Sequence, residues 1–363
     1  MTRTVQPSFR TATVREWPVQ GIRIAFLLLA TLMACAQTPP AASQGMQLGI
    51  AQEHLQQGKT DQAIRECKAV LAADPRSAPA HMLLAMAYLA KGSPDRIADA
   101  KAELQQALDL DPELLWARFY LARLYFDQGL TEKAQEQLER GLKQSPGLPN
   151  FLSLLGEVRR ELGDPAASLD LNHKALEAGE TMTPVHYFLA LAHQDLKQEQ
   201  AAIAEFEKAI NSPYVTPEMY NALASLYIKK QQFAAAEALC RKAIAMDRTR
   251  PDAYLNLARI YNARHASDLA LEALRTALPQ GREFPASEYY QQLQADLAVE
   301  RGVAYTAKKM YARATEEYIH ALDFDPSRAV VHRRLAELFL QKGDPTGAAL
   351  HTKEADKLEK GPK

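Results

Sequence analysis

Cysteine is scarce in this chain of 363 residues: Cys35, Cys67 and Cys240 are the only three. None has a CxxC spacing or a nearby histidine pattern, which leaves a disulfide framework, a zinc finger and a haem attachment motif without support. Aromatic residues make up 7% while Ala and Leu abound, which favours helices packed through small side chains over a sheet-rich fold. No charge sign dominates. Lys and Arg number 43 against 44 Asp and Glu, a formal net charge of −1, and no basic stretch concentrates the field locally. Nothing here attracts nucleic acid. No apolar run reaches the roughly 20 residues that span a bilayer as a helix.

The longest apolar run, residues 24–34, is eleven residues and follows a segment with Arg3, Arg10, Arg15 and Arg23 against one acid, Glu16. A basic stretch, a short apolar stretch and a small-residue site form the order of a secretory signal. Leu32, Met33, Ala34 and Cys35 come next, followed by a Gln/Pro/Ala/Ser stretch up to Gln44. This resembles the lipobox of bacterial lipoproteins. The resemblance implies a signal peptide over 1–34, a diacylglyceryl group on Cys35 as the new N-terminus, and a linker over 35–43. Several acyl chains on one residue anchor a soluble domain stably where one chain does not. Ala36 in place of Asp implies, by the same resemblance, export to the outer membrane. Losing residues 1–34 removes four basic and one acidic side chain and brings the charge to −4. The segment before the apolar run is long, and translation from Val14 would leave a signal of more usual length.

Small residues recur at a first phase: Ala51, Ala85, Ala122, Gly156, Ala190, Ala224, Ala258, Gly302 and Ala336. A second phase holds Ala63, Ala100, Ala134, Ser168, Ala202, Ala236, Ala270, Ala314 and Ala348, and a third runs from Val70 and Ala107 to Ala355. The dominant spacing is 34 residues, with one step of 37 and one of 44. Three residues after the first phase stands a large side chain, as in Tyr88, Tyr125, Tyr227, Tyr261, Tyr305 and Phe339. Five after the third phase stands proline in Pro75, Pro112, Pro146 and Pro326.

Locked phases at this period resemble the tetratricopeptide repeat, over about residues 44–360. The resemblance implies an all-α fold, a right-handed α-solenoid superhelix of about nine antiparallel helical hairpins. Small residues are needed where the two helices cross, since a larger side chain would push the backbones apart. Proline ends the second helix, because the residue before it avoids helical geometry. Gly58, Gly92, Gly129, Gly163 and Gly343 fall where the first helix can stop in left-handed geometry. Three extra residues are expected in the turn Gly92–Arg96. Ten extra residues enter around 279–285, where the stack breaks, pivots or carries a lengthened helix. The reading is repeats one to seven over 44–278, an interrupting loop over 279–285, and repeats eight and nine with the C-terminal end over 286–363.

In that family the outward positions of first helices line a groove for partner segments. Carried over, they are Met82, Met86 and Leu89, then Trp116, Phe119, Arg123 and Phe126, then Tyr187 with Leu191. Repeats six and seven place Asn221, Ser225, Lys229, Asp252, Arg259 and Asn262 there. Methionine adapts its shape and tryptophan often dominates binding energy, so the first residues suit an apolar or aromatic peptide. The competing reading makes Trp116 and Phe119 packing residues. The Lys/Asn/Arg set of a carboxylate clamp is missing, and only Asn256 stands where an asparagine ladder requires one.

Nothing resembles a nucleophile elbow, a phosphate-cradling loop or a metalloprotease helix. His186 and His193 are seven residues apart, about 10 Å along a helix, too far for one metal ion. The pairs Asp109/Asp111 and Asp323/Asp325 read as solvated turns. No block of about 100 residues lies outside the repeats to host a catalytic domain. The expectation is a binding protein without catalysis, cofactor, metal or small-molecule substrate. It is a lipid-anchored scaffold in the bacterial envelope, facing the periplasm, with protein or peptide partners in a pilus, secretion, polysaccharide-export or cell-wall machine. The alternatives are a chaperone or targeting lipoprotein for outer-membrane components, and a cytosolic adaptor whose true start lies downstream.

Overall fold

A computed structural model describes residues 42–179, 184–213, 215–277 and 288–360. The expected signal segment 1–34, Cys35 and the loop 279–285 lie outside them. Every element among the described residues is a helix, and consecutive helices pair into nine hairpins. The chain divides into two compact units between Val215 and Thr216.

The first unit holds five hairpins: α1 (Ala42–Gln56) with α2 (Thr60–Ala73), α3 (Ala78–Lys91) with α4 (Pro94–Leu110), α5 (Leu115–Asp127) with α6 (Thr131–Gln144), α7 (Pro149–Glu161) with α8 (Pro165–Ala178), and α9 (Val185–Asp195) with α10 (Glu199–Ala209). The second holds four: α11 (Pro217–Lys229) with α12 (Phe233–Met246), α13 (Pro251–Ala263) with α14 (Ser267–Ala277), α15 (Glu288–Ala307) with α16 (Tyr311–Phe324), and α17 (Ala329–Gln341) with α18 (Pro345–Lys360).

The small-residue phases sit where the helices meet. Ala51, Ala85, Ala122, Ala190, Ala224 and Ala258 of the first phase are fully buried, as are Ala63, Ala100, Ala134, Ala202, Ala236, Ala270 and Ala314 of the second. The glycines prove the crowding. A Cβ on Gly141 would lie 2.1 Å from Phe151 Cε1, one on Gly156 2.4 Å from Asn172 Nδ2, and one on Gly302 2.4 Å from Tyr318 Cε1. Carbon atoms at van der Waals contact need about 3.5–4.0 Å. Gly156 and Ser168 also share a buried polar cluster. Ser153 donates to Asn172 Oδ1 at 2.9 Å, and Asn172 donates back to the Ser168 carbonyl at 2.9 Å.

Second helices stop as the prolines require. Asp74, Asp111, Ser145 and Asp325, each before a proline, have φ between −137° and −145° with ψ near 90°. The Asp side chains then close the turn: Asp74, Asp111 and Asp325 accept from the backbone N–H two residues on. First helices end on Gly129 at φ +74° and its counterparts, but Lys197, Gln231, His265 and Lys309 hold the same left-handed geometry at +58° to +60°. These four residues carry backbone strain that glycine would not.

The first insertion differs from expectation and the second takes one of its expected forms. The three residues assigned to the turn Gly92–Arg96 instead lengthen α4, which starts on Pro94 and runs 17 residues. Proline suits that first helical position because its missing N–H has no partner there anyway. The later insertion resolves as a lengthened helix: α15 starts 14 residues ahead of Gly302, whereas α5 starts seven ahead of Ala122. The unit boundary at 215 stands elsewhere, and α13 and α15 are tied together by side chains described below.

Candidate functional site

First helices of adjacent hairpins pack side by side within each unit, for example α7 on α9 and α11 on α13. Residues 34 apart therefore form rungs along the row.

Of the groove residues expected from sequence, Met82, Met86, Phe119, Phe126 and Tyr187 are buried. Leu89, Trp116 and Arg123 are half-buried. The Phe119 ring is boxed by Trp116 at 5.7 Å, Tyr120 at 5.7 Å and Phe151 of the next first helix at 5.4 Å. Tyr187 packs on Phe206 of α10 at 5.8 Å. Five of the eight residues thus spend their surface on neighbouring helices. Of the three that keep accessible surface, Arg123 is one of a set of charged groups.

Those groups sit at one register of the first unit. Asp127, Glu161 and Asp195 end α5, α7 and α9 at intervals of 34 residues. Arg160 is the hub. It binds Glu157 at 2.7 Å, Glu161 at 2.5 Å and Asp195 of the next first helix at 2.9 Å. Its side chain is 8% exposed and that of Glu157 is 0% exposed. Burial works against the Arg160 charge, but the three carboxylates hold its pKa well above the usual guanidinium value. Burial raises Glu157 against the pull of Arg160. Arg123 binds Asp127 at 2.9 Å. Asp127, Glu161 and Asp195 are the three carboxylates of the set that keep exposed surface. Leu89 lies near the same end of α3, whereas Trp116 lies at the opposite end of α5 from Asp127.

The second unit carries a comparable set. Arg250 binds Glu218 of α11 at 2.7 Å and Asp252 of α13 at 3.1 Å, and Asp252 accepts from the Tyr289 hydroxyl. Arg259 binds Asp296 of α15 at 2.7 Å, and Asp296 also binds Arg328. Asn262 donates to the Glu300 side chain at 2.8 Å. Tyr289 reaches α13 only because α15 is lengthened. Asn256 donates to the Asn221 carbonyl at 3.3 Å, so it ties α13 to α11.

The remaining candidates are placed simply. His186 pairs with Glu205 at 2.7 Å and His193 with Gln198 at 2.6 Å. Among the described residues no group of three His, Cys, Asp or Glu is placed to hold a metal ion, and no helix is long and apolar enough to cross a membrane. Burial pushes the Cys67 and Cys240 thiols up to about 12. Sequence reasoning missed the carboxylate ladder and the Arg160 hub, although the 34-residue spacing of Asp127, Glu161 and Asp195 was there to be read.

Models of the tetratricopeptide repeat match residues 54–96, 94–158, 183–212 and 227–297. The "Cellulose synthase operon protein C" of Pseudomonas fluorescens (strain SBW25) is 43% identical over 53 residues, 15% of this chain and 4% of that protein. The "TPR repeat-containing protein YpiA" of Bacillus subtilis (strain 168) is 26% identical over 155 residues, 43% of this chain. The chain spans 4% and 36% of the length of these two relatives. Among solved structures, the APC/C hetero-tetramer Cut9-Hcn1 aligns with a TM-score of 0.61 at 16% identity, covering 93% of this chain and 64% of that one.

Proposed function

The chain belongs to the tetratricopeptide-repeat family, and from that we propose that it is a scaffold that holds other proteins along its rows of first helices, tethered in the bacterial cell envelope through Cys35. The observation that supports the binding face is the acidic ladder in the first unit. The carboxylates of Asp127, Glu161 and Asp195 at one end of the first helices, with half-buried Trp116 about 16 Å away at the start of α5, suit a partner segment that presents a Lys or Arg to the ladder and an apolar side chain farther along the row. The apolar part would gain from burial and the cation from the ladder, whose register also fixes the segment's direction. The envelope assignment is supported by the lipobox-like sequence before Cys35 and by the similarity to the cellulose synthase operon protein C.

A photoreactive amino acid placed at Trp116 in intact cells tests the face. Partners are expected to crosslink there, and to be lost when Glu161 and Asp195 are changed to Gln and Asn. Equal crosslinking from an exposed second-helix position such as Lys133 would refute it. The tether is tested by fractionation and acyl labelling of wild type against Cys35→Ala. A soluble, unlabelled wild type would end that part of the reading.

A further inference from the structure

The last hairpin carries a contact that neither the repeat pattern nor the first-helix face uses. His332 of α17 and His351 of α18 face each other with their Nδ1 atoms 2.9 Å apart. The ring centres are 5.2 Å apart, so both nitrogens lie close to the line that joins the rings and point at one another. A metal ion in that head-on arrangement would need about 4 Å between the nitrogens, twice a metal–imidazole bond of ~2.0 Å. The observed separation is that of a hydrogen bond. One Nδ1 therefore carries a proton and the other accepts it. The His351 ring is further fixed by stacking on Phe339 at 5.4 Å and 11°.

We propose that this pair is a proton-sensitive latch for α18, closed while one Nδ1 proton is shared and opened when both Nδ1 atoms are protonated. A first added proton goes to an outer nitrogen. It leaves an imidazolium N–H donating to a neutral partner, which keeps the bond and strengthens it. A second puts two N–H groups and two positive charges head to head.

The surroundings agree. Burial first, then the neighbouring His332, lower the pKa of His351, with Glu354 one turn along α18 acting the other way. Arg333 of α17 is engaged by Asp356 at 2.6 Å and Glu359 at 2.8 Å on α18. From α16, which also packs on α17, Tyr318 faces Arg334. Arg333 lowers the Glu359 carboxyl, so that acid stays charged where imidazoles titrate. The folded hairpin then binds fewer protons than the unfolded one. The stability linked to the depressed His351 is complete above the ordinary histidine value of about 6.5 and is lost as pH falls from there through its folded value. Because α18 packs chiefly on α17, the response is confined to this hairpin, which contributes Val331, Leu335 and Leu338 to the core cluster.

Amide hydrogen exchange of the full chain at pH 7.5 and 5.0, corrected for the chemical exchange rate, tests the latch. In wild type, opening of α18 should rise severalfold at the lower pH, while α16 stays unchanged. In His351→Phe, which keeps an aromatic ring against Phe339, the rise should vanish. An equal rise in that variant, or none in wild type, overturns the proposal. Imidazole NMR titration of wild type gives an answer that needs no variant: two steps for the coupled pair support it, and two independent, ordinary titrations sink it.

Discussion

Replacing Gly141 by alanine adds one methyl group at the point where α6 meets the next hairpin. That carbon would stand 2.1 Å from Phe151 Cε1, 2.7 Å from Cδ1 and 3.0 Å from Cζ. The ring has little room to retreat, since Phe151 is 2% exposed and packs against Phe119 at 5.4 Å. Overpacking of this kind costs about 1–3 kcal/mol. Alanine in a helix interior returns about 1 kcal/mol over glycine. The net expectation is a loss of up to about 2 kcal/mol. Gly49 supplies the control, being inside α1 with nothing within 4 Å of an added Cβ. Gly49→Ala should therefore stabilise by about 1 kcal/mol, and the gap between the two variants isolates the clash. Phe151→Leu added to Gly141→Ala should recover part of the loss, a coupling of at least ~0.5 kcal/mol. Repeat arrays need not unfold in one step. Urea denaturation should accordingly be paired with amide exchange of α6 and α7. If Gly141→Ala stabilised as much as Gly49→Ala, helix crossing would not be the reason for small residues at this phase.

Other outcomes follow from the same contacts. Lys309→Gly should raise the urea midpoint, because a left-handed backbone at φ +60° costs a side-chain-bearing residue about 0.5–1 kcal/mol more than glycine; no gain would mean the strain is relieved elsewhere. Arg160→Met should lower stability by roughly 3 kcal/mol or more, since it strands the buried Glu157, and Arg160→Met with Glu157→Met should recover much of it in a thermal melt. In a Cys35→Ala background, a thiol reagent at pH 8 should label neither Cys67 nor Cys240 until the chain unfolds, because both thiols are buried and pushed up to about 12.

The repeat was written in the sequence because close helix crossing acts on single residues. Two backbones at contact distance leave space for Ala122 and Ala134 whatever the rest of the helix contains, so a period of 34 carries the hairpin, its turns and its proline stops. The groove was not written there. Trp116 and Phe119 lie one turn apart on one helix, yet Trp116 keeps surface and Phe119 loses it to Phe151, a residue of the next hairpin. The sequence also located the ten-residue insertion, but only the packing of α15 beside α13 made it extra helix, bringing Tyr289 to Asp252. The same holds for Arg160 among its three carboxylates and for the His332–His351 pair. Periodicity reports which residues share a face of a helix, whereas exposure and pairing depend on what the neighbouring helix sets against that face, and that is decided in three dimensions.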